Sequence, residues 1–137
     1  MNGTLSMELG IVVLLAVFAA SLWIPYIVGV NMYPVKGGDP FSRPAALTDF
    51  PEWVHRAHRA HLNLLEQSVP FAVLVLLVDR ADGFGALTLW TSVAFVLLRV
   101  AHAVGYITGV AGFPARPLIF TAGWVCCLLM AWAFFTA

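Results

Sequence analysis

Arg59, Asn63, Glu66, Arg99, His102 and Tyr106 stand inside segments that are otherwise apolar, and polar groups in such settings carry chemistry more often than decoration. The first three recur at helical spacing with Glu52, Arg56, Gln67 and Pro70, and at about 100° per residue the whole set falls within a stripe about 100° wide. Arg99, His102 and Tyr106 stand at i, i+3 and i+7, again one narrow stripe. Arg99 is too far from either end of its segment to reach water easily. The six residues named first include two arginines, a histidine, a tyrosine and an asparagine, which together offer more donors than Glu66 alone can accept. An anionic ligand is the economical completion.

The elements that must position these groups follow from composition. Of 137 residues, 61% are apolar and only 10% charged, far from the balance of a soluble domain. A hydrocarbon layer about 30 Å thick needs roughly 20 apolar residues per helix. Four such runs can be read, at 7–30, 52–78, 84–110 and 115–135, which predicts an all-α bundle of four transmembrane helices forming a single domain over 1–137. No Lys or Arg precedes the first run, and the run exceeds a signal-peptide core, so it reads as a retained helix despite Ala19-Ala20-Ser21. Trp23, Pro25 and Tyr26 predict a kink and an interfacial aromatic belt, and Trp53, Trp90, Trp124 and Trp132 read as belt or packing residues.

The first connection contains Lys36, Gly37, Gly38, Asp39, Pro40, Arg43 and Pro44 and is long for so small a protein. The second, 79–85, and the third, 111–114, are short, so consecutive helices are antiparallel neighbours. In an antiparallel hairpin, residues at equal depth have a constant sum of residue numbers. Glu66 with Arg99, Asn63 with His102 and Arg59 with Tyr106 share one such sum, whose half falls between Asp82 and Gly83 in the expected turn. Lone charges at that depth cost several kcal/mol each, roughly, so these groups must pair, face the bundle interior or line a wet cavity.

The remaining features narrow the function. Net charge is zero, so nothing points to nucleic acid. His55, His58 and His61 are turned about 60° apart on their helix, and no Cys or carboxylate cluster completes a shell, so no metal is expected. The adjacent Cys126 and Cys127 read as small apolar filler. Lys36, Arg43 and Arg116 on one side, against Arg80 on the other, place the first and third connections in the cytoplasm and both termini outside.

The run Arg56-Ala57-His58-Arg59-Ala60-His61-Leu62-Asn63-Leu64-Leu65-Glu66-Gln67-Ser68-Val69-Pro70-Phe71 resembles the second-helix signature of the MAPEG family, the membrane-associated proteins of eicosanoid and glutathione metabolism. Arg99-Val100-Ala101-His102-Ala103-Val104-Gly105-Tyr106 resembles the family's third-helix pattern, and Arg116 matches the arginine that opens its fourth helix. The overall texture is closest to bacterial members, which implies a bacterial inner-membrane location. The resemblance implies a homotrimer with glutathione as co-substrate, bound between subunits and open toward the cytoplasm. It further implies that Arg59, Asn63, Glu66, His102 and Tyr106 hold glutathione, that Arg99 supports Glu66 or the ligand, and that Arg116 is catalytic and faces the thiol. Leu62 stands where some members have a further ligand-binding arginine, and Pro117 where the prostaglandin synthase branch has a serine, which speaks against that activity.

Two functions remain open from the sequence. One is a glutathione-dependent transferase or peroxidase acting on a lipophilic electrophile that arrives through the bilayer lipid. The other is a non-catalytic member of the same scaffold that binds another anionic or lipid ligand, or serves as an accessory subunit.

Overall fold

A computed structural model describes residues 5–35 and 45–137; Lys36 and Arg43, two of the charges that set the expected orientation, lie outside the described residues. Four helical segments are long and apolar enough to cross a membrane: Met7–Met32, Glu52–Arg80, Ala86–Thr108 and Ala115–Phe135. These are the four helices expected from the apolar runs, and the protein is an all-helical integral membrane protein.

The first span is two helices, α1 (Met7–Ser21) and α2 (Ile24–Met32), joined by a turn at Leu22 and Trp23. Pro25 causes the break, since it has no N–H to give the Ser21 carbonyl and its ring crowds that carbonyl. The Ser21 hydroxyl turns back and donates to the Val17 carbonyl at 2.8 Å. A 3-10 turn at Leu47–Asp49 then leads into α3 (Glu52–Arg80), which is followed by α4 (Ala86–Thr108) and α5 (Ala115–Phe135). Every other helix packs on α3, and α4 and α5 lie side by side along their length.

Helix α3, at 29 residues, is about 43 Å long by its rise per residue. A hydrocarbon layer of about 30 Å leaves roughly two and a half turns outside it. With Arg80 at one boundary, the segment from Glu52 to about Ala60 projects beyond the other. Arg59 then sits near the membrane surface, Asn63 one turn below it and Glu66 two turns below.

Two apolar clusters divide the bundle. Leu15, Phe71, Val75, Val78, Phe95, Cys126, Met130 and Ala133 fill the half near the α3–α4 turn, where the Phe71 and Phe95 rings stack at 3.9 Å between centroids. Cys126 therefore does pack as core, and both cysteines are free. Ala19, Leu22, Ala60, Leu64 and Ala103 fill the other half, where the three alanines let α1, α3 and α4 approach closely. Gly29 serves the same end, because a Cβ there would stand 2.5 Å from a Val54 methyl.

At its end α4 reverses at Gly109, whose φ of 80° lies in the left-handed region. The Arg56 Nε donates to the Ile107 carbonyl at 3.3 Å, placing a cation at the negative end of α4. Gly109→Ala should cost about 1 to 2 kcal/mol, since a side chain resists that backbone and its Cβ would also press on the Arg56 guanidinium. Thermal unfolding in detergent reads this, and a shift no larger than that of an exposed mid-helix substitution would contradict it.

Candidate functional site

The chemistry-bearing residues gather at the bundle end that contains the first and third connections. Half-buried Arg116, at the second position of α5, lays its guanidinium carbon 4.0 Å from the centre of the Tyr106 ring on α4. Its Nε is buried and has no partner. One turn deeper, the His102 ring stacks on Tyr106 at 5.6 Å and meets Phe120 at 6.4 Å. Cation, phenol and imidazole thus form one column, with the positive end of α5 beside it.

Arg99 lies deeper and is sealed, with 1% of its surface exposed. Its Nη2 donates to the Ile119 carbonyl at 3.0 Å, while Nε and Nη1 have no partner. Its guanidinium also lies 5.5 Å from the Phe95 ring centre. Gln67 reaches the same place from α3, its Nε2 donating to the Phe120 carbonyl at 3.1 Å. Both side chains occupy the space that a Cβ on Gly123 would take, 2.4 Å from Gln67 Oε1 and 2.5 Å from Arg99 Nη2.

The stripe on α3 is divided by its surroundings. Gln67 is buried, Arg56 and Asn63 are half-buried, and Glu52, Arg59, Glu66 and Pro70 are exposed on the protomer. Among the described residues the single ion pair is Arg56 with Glu52 at 3.2 Å, so Glu66 and Arg99 do not pair within one chain. Pro70 lacks the N–H that would bond the Glu66 carbonyl, which leaves an acceptor open beside the Glu66 side chain. Among the described residues no hydrogen bond joins Arg59, Asn63, Glu66, His102 and Tyr106 to one another. Arg59 and Glu66 are open to something outside the protomer, Asn63 and Tyr106 are half-buried, and His102 is buried with 3% of its surface exposed.

Two polar groups with structural weight were not singled out by sequence reasoning. Glu8 on α1 is buried and lies 2.8 Å from the Thr88 hydroxyl, which also accepts from the Gly85 N–H at the start of α4. Their signal was their matching place, in the first turns of two helices that begin on the same side. Gly123 had no signal beyond being a small residue in an apolar helix.

Fold and site together define a polytopic helical membrane protein with a column of cation, phenol and imidazole at one end of the bundle and an unpaired polar strip on its outer face. The model of the MAPEG family matches residues 10–136, nearly the whole chain. The protein belongs to the MAPEG family. A search among curated proteins gave no match.

Proposed function

We propose that the protein is a membrane-embedded, glutathione-dependent transferase or peroxidase that acts on lipophilic electrophiles entering from the bilayer. The observation that carries this reading is Arg116 over Tyr106, a cation with a free buried donor at a helix N-terminus. Such a place lowers the pKa of a thiol brought to it. The exposed guanidinium of Arg59 suits a carboxylate of glutathione, and the exposed Glu66 suits its ammonium. The half-buried Asn63 and Tyr106 supply neutral hydrogen-bonding groups between them, and the buried His102 ring supports Tyr106 from the inner side.

Bound glutathione would supply a thiolate whose sulfur bonds to the electrophilic carbon while the leaving group departs with its electron pair, the thiol proton passing to solvent. Arg116 holds the negative charge on sulfur before attack, and Tyr106 keeps the guanidinium in place from below. Arg99 acts from behind the site, through the α5 backbone rather than on the ligand.

The working unit in this reading is a homotrimer. Glu66 is exposed on the protomer at hydrocarbon depth, where an ionised carboxylate facing lipid costs several kcal/mol, roughly, and a neighbouring copy would cover it. In the same reading the first and third connections face the cytoplasm, which the charge asymmetry of the connections supports. A cysteine placed at the exposed Gly112 should react with an impermeant thiol reagent only from the cytoplasmic side; labelling from the outer side alone reverses the orientation.

A second reading has specific support from Leu62, which stands where some family members have a further ligand-binding arginine, and from Pro117, which stands where the prostaglandin synthase branch has a serine. In it the same site holds a different anionic or lipid ligand without catalysis. Assay of the purified protein with glutathione and either an aromatic halide or a lipid hydroperoxide separates the two. Glutathione-dependent turnover of either compound supports the enzyme, and glutathione binding without turnover of any electrophile favours the second reading.

A further inference from the structure

Arg116, Ile119, Phe120 and Gly123 stand at i, i+3, i+4 and i+7 on α5 and therefore share one face of that helix. At that face two side chains from two other helices take consecutive carbonyls: Arg99 of α4 binds Ile119, and Gln67 of α3 binds Phe120. The bonds lie one turn from Arg116. A helix held at one carbonyl can still roll about that point, whereas two holds from different directions fix both its height and its rotation. Gly123 makes this possible, since any Cβ there would fall on the two side-chain ends.

Gln67 has no other evident employment. It is 6% exposed, so it does not reach a ligand from the open face, unlike its neighbour Glu66. A buried amide in an apolar bundle costs free energy unless it is bonded, and its one bond goes to the α5 backbone.

We propose that Gln67 is a positioning residue for Arg116: by holding the Phe120 carbonyl it sets the roll of α5 that keeps the Arg116 guanidinium over the Tyr106 ring. The inference rests on the proposed function for its consequence in catalysis, though its geometry does not need glutathione. Loss of the Gln67 bond leaves Arg99 as the remaining hold at this level, and α5 can turn about it. Arg116 then spends part of its time off Tyr106.

The test uses the full-length protein in detergent and a dicarbonyl reagent that modifies arginine, with mass spectrometry reading each site. In Gln67→Leu, Arg116 should be modified about three- to tenfold faster than in wild type, the factor expected from one neutral hydrogen bond. Arg56, bound to the Ile107 carbonyl at the end of α4, is the internal control and should not change. Gln67→Met takes the place of Gln67→Leu if the latter does not fold. Unchanged Arg116 reactivity in a folded variant overturns the proposal, and so does an equal rise at Arg56, which marks general loosening. For the activity, the variant should bind glutathione within about twofold of wild type while the pH at which bound thiolate appears moves upward. If wild type forms no thiolate yet Arg116 reactivity rises selectively, the positioning holds and the proposed function fails; if wild type forms thiolate and reactivity is unchanged, the positioning alone fails.

Discussion

Gly123→Ala is expected to lower stability by about 1 to 3 kcal/mol, although alanine is the better helix former. The new Cβ would fall on Gln67 Oε1 and lie 2.5 Å from Arg99 Nη2, so the ends of both buried side chains must shift. Overpacking costs about 1 to 3 kcal/mol, the upper end applying where the shift weakens the Arg99 bond to Ile119. Arg99 is sealed, with 1% of its surface exposed, so its end has little room to shift. Gly10→Ala is the matched control: its Cβ would meet only a Leu5 methyl at 4.0 Å, and the higher helix propensity of alanine should leave stability equal or improved. Thermal unfolding in detergent compares the two, and equal melting of both variants would contradict the packing described here.

Arg116→Ala is expected to reduce turnover by about 100- to 1,000-fold with only a modest change in glutathione affinity. That magnitude is typical of removing a preorganised group that stabilises charge in a reacting complex. The column of Arg116, Tyr106 and His102 holds the cation by its own packing, the guanidinium resting 4.0 Å over the Tyr106 ring. Arg116→Lys keeps the charge and loses the planar group that stacks, so its turnover should fall between the two. Steady-state kinetics with glutathione varied reads this pattern. A fall confined to affinity would assign Arg116 to binding and leave the chemistry elsewhere.

The four spans and the kink at Pro25 were legible because length, apolar runs and the missing proline N–H each act locally along the chain. The gathering of Arg116, Tyr106 and His102 was only partly legible. Equal-depth pairing in the α3–α4 hairpin gave heights, and the Arg56 bond to Ile107 agrees with that register to within about half a turn. Height is not direction. Glu66 and Gln67 differ by about 100° around α3, and it is Gln67 that turns inward to α5 and the level of Arg99, while Glu66 turns outward. Opposite charge suggested Glu66 as the partner of Arg99, but in the protomer a backbone carbonyl on α5 fills that place. No pattern in α5 could have announced it, since the acceptor is main chain and the opening is the absence of a side chain at Gly123.

The upstream Arg56 shows the same limit from the other side. It belongs to the stripe by spacing, yet its guanidinium closes the end of α4 and pairs with Glu52. Helical periodicity identified a polar face, whereas the division of that face into cap, core and open strip depended on where the neighbouring helices ended. Glu8 and Thr88 were beyond periodicity altogether, since each looks like an ordinary first-turn residue until α1 and α4 are seen to begin side by side.

In the proposed reaction Arg116 at the head of α5 turns a bound glutathione thiol into a thiolate. Titration of the purified protein with glutathione, followed by the ultraviolet absorbance of thiolate and by calorimetric binding in parallel, tests it most directly. Wild type should bind and show the thiolate signal near neutral pH, and Arg116→Ala should bind with the signal largely lost. Equal thiolate in both proteins, or binding by wild type with no thiolate at any pH below that of the free thiol, would contradict it.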